Sequence, residues 1–164
     1  MKEIIAQPLH FNKEKVESAF KKLDQNHVYQ ASQMVYYPYY YFRYNVQAKR
    51  LFLPANEKVG CAVDAVSGKG SLIDSQPKLK QFTVQESELL HQKQSLDDCL
   101  EKSESFLYRS LSLKMKMLSI SKVQVEEKQF FYRPYWIVYN QNGEKGAVDF
   151  IVDGVSGQYH PLAS

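Results

Sequence analysis

Two aspartates occupy nearly the same setting. Asp64 lies in Val63-Asp64-Ala65-Val66-Ser67-Gly68, and Asp153 lies in Val152-Asp153-Gly154-Val155-Ser156-Gly157. An Asp beside a Ser could bind a metal or activate a hydroxyl. With His160 added, Asp64 and Asp153 would form the acid-base set of a small hydrolase whose site would lie between two halves of the chain. The flanking pattern favours turn chemistry instead. An Asp at a strand end accepts from backbone N–H groups about two residues on, and Gly supplies the positive φ that closes the turn. Asp64, Gly68, Asp153 and Gly157 therefore read as structural turn residues.

Other catalytic signatures are lacking. His10, His27, His91 and His160 form no HxH or HExxH pair, so no zinc site is specified. No Walker loop, GxGxxG or nucleophile elbow is present. Cys61 and Cys99 belong to no CxxC pattern, and both fall on apolar stretches, as two buried reduced thiols would. The expectation is a protein that is not an enzyme, with no metal and no cofactor.

The aromatic residues carry the strongest functional signal. The chain has twelve Tyr, nine Phe and one Trp, and nine of the Tyr and the Trp fall in two similar runs, Val35 to Tyr44 and Phe131 to Asn140, each with a proline near its start. On a strand, Tyr39 and Tyr41 share one face while Tyr40, Phe42 and Tyr44 share the other. In the second run Tyr135, Ile137 and Tyr139 oppose Trp136 and Val138. Both faces are apolar or amphipathic, and one helix covers only one of them. Tyr37, Tyr39, Tyr41, Arg43, Tyr135, Trp136 and Tyr139 are thus the candidate partner-binding residues, since Tyr and Trp are enriched at such patches. The partner would be a protein, a peptide or a second copy. A single-stranded nucleic acid is the third reading, from rings beside Arg43 and Arg133. The net charge of +3 gives it little support.

The elements that must position these residues follow from local patterns. Asn12 reads as the N-cap of a helix with Val16, Ala19, Phe20 and Leu23 at helical spacing, ended by Asp24-Gln25-Asn26. Residues 3–10 suggest an edge strand or arm. The first aromatic strand leads through a loop at 47–57 to Val59, Cys61 and Val63, and a short strand follows over 69–74. Thr83-Val84-Gln85-Glu86 matches a capping box and predicts a long helical segment, as one helix or two, carrying Leu89, Leu90, Leu96, Cys99, Leu100, Phe106, Leu107 and Leu111 as its buried positions. Ile120, Val123 and Val125 predict a strand ahead of the second aromatic run. Asn142-Gly143 predicts a tight hairpin back to Val148, Phe150 and Val152. From proline to turn aspartate the first span is longer, and the difference is assigned to its hairpin loop.

The same motifs in the same order predict an internal repeat. Residues 1–74 form a first α+β repeat with an N-terminal arm, 75–83 a linker, and 84–164 a second repeat. The fold class is α+β: two helix plus antiparallel-hairpin units sharing a core.

Ala62 to Gly68 and Ile151 to Gly157, with Tyr44 and Tyr139 in the preceding strands, make the chain resemble the PepSY domain. The resemblance would cover roughly 11–74 and 84–162. It implies a small PepSY- or cystatin-like sheet packed on helix. It also implies a binding or regulatory module of the kind found in protease propeptides and bacterial cell-envelope proteins, with no catalytic residues to carry over. The N-terminal residues lack the long apolar run of a signal peptide, and no segment has the length of a membrane span. The chain as it stands reads as cytoplasmic; the cell envelope is the location if an anchor has been removed.

Overall fold

The structure is a computed structural model, and it describes residues 1–50, 53–114, 119–141 and 148–162. The described residues form an α+β fold, with two α-helices and a large mixed, mostly antiparallel sheet. The elements run β1 (Lys2–Ala6), α1 (Lys13–Leu23), β2 (Tyr29–Arg50), β3 (Leu53–Asp64), β4 (Gly70–Ile73), β5 (Lys80–Val84), a 3-10 turn (Glu86–Glu88), α2 (Leu96–Lys114), β6 (Ser119–Asn140), β7 (Phe150–Asp153) and β8 (Tyr159–Pro161). Hydrogen bonding orders the strands β4-β3-β2-β6-β1-β5, with β7 beside β6 and β8 beside β7. No helix among the described residues is long and apolar enough to cross a membrane.

The chain divides into two compact units that are discontinuous in sequence. Unit 1 holds Met1–Tyr37, Lys78–Leu90 and Tyr132–Ser164; unit 2 holds Pro38–Pro77 and His91–Phe131. This partition differs from the sequential one at 74 and 84. Each of the buried clusters described below lies within one unit. In unit 2, Tyr40, Phe42, Tyr44, Val46, Val59, Cys61 and Val63 pack under Cys99, Leu107 and Leu111 of α2. In unit 1, Val16 and Phe20 of α1 pack on Ala31, Val138 and Val152, while Ile4, Ala6 and Val84 form a second cluster with Tyr36 and Tyr132.

The helices are therefore exchanged relative to chain order. The helix that precedes the first aromatic strand covers the second hairpin, and the helix that precedes the second covers the first. Capping explains where each helix begins. Asn12 Oδ1 accepts from the Lys15 amide at 2.9 Å, as expected. The second helix begins at Leu96, well past the Thr83-to-Glu86 pattern, where Ser95 Oγ accepts from the Asp98 amide at 3.1 Å. The Asp98 carboxylate accepts in return from the Ser95 amide at 3.4 Å.

Several expectations change for one reason: long-range pairing outweighs local pattern. Thr83 does not cap a helix, because Lys80–Val84 pairs with β1 from Lys2↔Val84 to Ala6↔Lys80. The stretch expected to be a linker thus holds a strand. For the same reason β1 is not an edge; it lies between β5 and β6, meeting β6 in parallel at Ala6↔Tyr132. Leu89 follows the 3-10 turn, bridges to Tyr36 in parallel and packs beside it, and is not on a helix. The expected loop at 47–57 is largely strand, since β2 and β3 stay paired from Tyr39↔Asp64 to Arg50↔Leu53. Ala19 and Leu23 are exposed on α1, leaving Val16 and Phe20 as its buried pair. The Asn142-Gly143 turn lies outside the described residues.

Candidate functional site

The two aspartate turns share one set of hydrogen bonds. In unit 2, Asp64 Oδ1 accepts from the amides of Val66 at 2.8 Å and Ser67 at 3.0 Å. The Gly68 amide donates to the Asp64 carbonyl at 2.8 Å, and Gly68 takes φ of 81°. In unit 1, Asp153 Oδ1 accepts from Val155 at 2.8 Å and Ser156 at 3.2 Å. The Gly157 amide donates to the Asp153 carbonyl at 2.8 Å, with φ of 80°. Asp153 Oδ2 also pairs with Arg133 Nη2 at 2.8 Å. The carboxylates thus hold the turns shut. His160 sits on β8 opposite Ile151, with an exposed side chain. Among the described residues no three of His, Cys, Asp and Glu gather as a metal site.

The prolines explain how each helix attaches. Pro38 and Pro134 are fully buried in long strands, and proline has no N–H to give a ladder. Each still accepts through its carbonyl, from Ala65 at 3.0 Å and from Gly154 at 2.9 Å. The carbonyl of the opposite residue loses its strand donor and takes donors from the segment before a helix. Ala65 accepts from Lys93 at 2.9 Å and Gln94 at 2.8 Å, just before the Ser95 cap. Gly154 accepts from His10 at 2.9 Å and Phe11 at 3.0 Å, just before the Asn12 cap. A buried carbonyl left without a donor is costly, and this need ties each helix start to a turn. The prolines were legible in the sequence, but the donors they recruit were not.

The candidate binding residues divide by burial. Tyr37 and Tyr135 of unit 1 meet edge-on with ring centroids 6.0 Å apart. Both are half-buried, and Tyr139 is 36% exposed, donating from its hydroxyl to Gln33 Oε1 at 3.1 Å. In unit 2 Tyr39 stacks on Phe131 at 5.6 Å. Arg43 lies beyond it, with Nε 3.6 Å from Glu126 and Nη1 3.8 Å from Glu127. Such ring pairs are favourable beyond their area alone. Two candidates belong to the interior. Tyr41 is only 2% exposed; burial raises its hydroxyl pKa, the Glu127 charge adds to this, and Arg43 opposes it. Trp136 packs with the α1 cluster and donates Nε1–H to the Phe11 carbonyl at 2.9 Å.

Beneath α2, Tyr44 and Ser103 share a buried hydroxyl hydrogen bond, and burial drives the Tyr44 pKa upward. Cys61 and Cys99 are free and buried; burial pushes the Cys61 thiol up to about 12. A thiol held protonated is a poor nucleophile.

Each unit also has a groove beside its glycine turn. In unit 1 a groove of about 620 Å³ runs between α1 and β8, lined by Phe11, Phe20, Leu23 and Tyr159 together with Glu14, Lys15 and Lys22. In unit 2 a groove of about 550 Å³ lies between α2 and the start of β4, floored by Gly70 and Phe106 with Lys69, Lys102 and Arg109 around it. Both volumes fall in the range of ligand sites. Nothing in the sequence periodicity marks these grooves, because each joins elements remote along the chain.

In comparisons with known proteins the chain matches no family model, no curated protein and no solved structure.

Proposed function

We propose that this chain is a non-catalytic binding or regulatory module whose aromatic sheet residues hold a protein or peptide partner, or a second copy of the chain. The observation that carries the reading is the pair of ring contacts, Tyr37 with Tyr135 in unit 1 and Tyr39 with Phe131 in unit 2. These rings are on the strand faces opposite Tyr40, Phe42 and Tyr44, and opposite Trp136 and Val138, which pack under the helices. Half-buried tyrosines offer apolar area to a partner and carry a polar tip that can hydrogen-bond. The matched turns, prolines and helix attachments support reading the two aromatic hairpins as copies of one motif. The PepSY resemblance supports a regulatory role of this kind.

The test compares wild type with a Tyr39→Ala/Tyr135→Ala variant. Self-association is measured by sedimentation velocity, and peptide ligands are selected by display on the wild-type protein. The expected outcome is a dimer or a set of ligands that the variant binds at least tenfold more weakly while it still unfolds in one cooperative transition, at a midpoint lowered by the lost ring contacts. A monomeric wild type whose selected ligands all bind the variant equally well would remove the proposal.

A further inference from the structure

We infer that the outer edge of β4, together with the α2 groove beside it, takes an extended acidic peptide as an added strand. This site is separate from the aromatic residues and does not rest on their proposed role.

The register defines the edge. Asp64 donates its amide to the Lys69 carbonyl at 2.9 Å, so that pair is hydrogen-bonded across β3 and β4. Antiparallel pairs alternate between bonded and non-bonded. Ala62↔Ser71 and Gly60↔Ile73 therefore face inward, while Val63↔Gly70 and Cys61↔Leu72 do not bond each other. The same alternation follows on the other side of β3 from the Ala65 amide, which donates to Pro38. The N–H and C=O groups of Gly70 and Leu72 thus point away from β3. Among the described residues β4 pairs with β3 alone. An unpaired row of this kind is a template for strand addition.

The groove supplies the side-chain contacts. A guest strand lies about 4.8 Å from β4, and its alternate side chains enter the groove over Phe106. Gly70 lets the Phe106 ring pack down onto β4 as that floor, since a Cβ there would come within 3.1 Å of the ring. Charge then selects the guest. Lys69, Lys102 and Arg109 line the groove, against Asp98 and Glu101. Asp98 is engaged by the α2 cap, and Lys102 Nζ donates to Gln94 Oε1 at 2.7 Å. Lys69 and Arg109 are exposed cations on either side of the groove, and they favour carboxylates on the guest.

The probes are two fluorescein-labelled heptapeptides, one alternating Glu with Val and the other Lys with Val. Anisotropy reads binding, and amide hydrogen exchange by NMR reads the edge. The Gly70 and Leu72 amides should exchange freely in the unliganded protein and slow at least tenfold with the Glu peptide. A Lys69→Glu/Arg109→Glu variant should bind that peptide at least tenfold more weakly, whereas Tyr39→Ala/Tyr135→Ala should bind it unchanged. N-methylation of alternate peptide amides should abolish binding in one register and spare it in the other. The inference is overturned by Gly70 and Leu72 amides already protected without peptide, by no binding of the Glu peptide, or by equal binding of both peptides.

Discussion

The two units solve one backbone problem in the same way and then diverge at their edges. Both place a buried proline opposite an aspartate turn, and both use the freed carbonyl to anchor the start of a helix. On the hairpin side of unit 1 the edge strand is β8, the counterpart of β4. The Asp153 amide donates to Gln158, which by alternation turns the backbones of Tyr159 and Pro161 outward. Pro161 has no N–H there, so the edge is half closed, a common defence against unwanted pairing. In unit 2 the equivalent outward positions are Gly70 and Leu72, which keep their donors. The grooves differ in their lining: beside β8 it is Phe11, Ala19, Phe20, Leu23 and Tyr159 with Glu14, Lys15 and Lys22 at the margin, and beside β4 it is Phe106 among three cations and two carboxylates. The backbone that builds each unit is thus separable from the side chains that decide what its edge accepts.

The largest effects should come from the buried clusters. Phe20→Ala removes the ring that touches Tyr29, Phe150 and Tyr159, with centroids 5.0 to 5.3 Å away. It should cost about 3–5 kcal/mol, and Leu107→Ala in unit 2 about 2–5 kcal/mol. Chemical denaturation measures the loss. Hydrogen exchange would sharpen the comparison, because each change should expose amides first in its own unit. Uniform loss of protection from either change would break it.

Next come the turn aspartates. Asp64→Ala and Asp153→Ala each remove a carboxylate that accepts from two backbone amides. Hydrogen bonds to charged groups contribute about 1.5–3 kcal/mol, so each variant should lose stability on that order. A turn aspartate whose removal leaves the unfolding midpoint unchanged would contradict the shared lock.

The turn glycines should separate the units. Both have positive φ, which costs an L-residue about 1–2 kcal/mol. A Cβ on Gly157 would also meet the Phe11 ring at 2.9 Å, whereas one on Gly68 meets mainly the flexible Lys102 amine at 2.5 Å. The amine swings aside more easily than the packed ring. Gly157→Ala should therefore lower the thermal midpoint more than Gly68→Ala, and the reverse order would show that the Phe11 side of the turn is soft.

The smallest effect is a titration at the end of α1. Burial raises the Asp24 pKa, but hydrogen bonds from His27, the Asn26 amide and Tyr29 outweigh it and leave the carboxyl below its ordinary value. A lowered folded-state pKa contributes stability that is present above the unfolded pKa, about 3.9, and is lost as pH falls through the folded one. NMR titration of Asp24 should show this shift, and His27→Phe should reduce it. An unchanged Asp24 titration in that variant would mean that His27 is not a cause.

Local chemistry was legible where a feature closes within a few residues. The Asn12 cap, the Asp-to-Gly turns and the inward set Tyr40, Phe42 and Tyr44 follow from hydrogen-bond reach and strand alternation. The Thr83 pattern misled because the same residues fit a strand, and β1 was available to pair with it. Tyr41 misled because alternation gives its face but not what covers that face.

The residue sequence by itself determined the two turns, the prolines that interrupt each ladder and the ring-rich faces, since these depend on neighbours along the chain. Only the tertiary structure decided which helix caps which hairpin, which carbonyls the prolines leave to be claimed, and whether an edge strand is blocked or open. Those outcomes depend on hydrogen-bond partners tens of residues away, and short-range preferences carry no information about which distant donor will arrive.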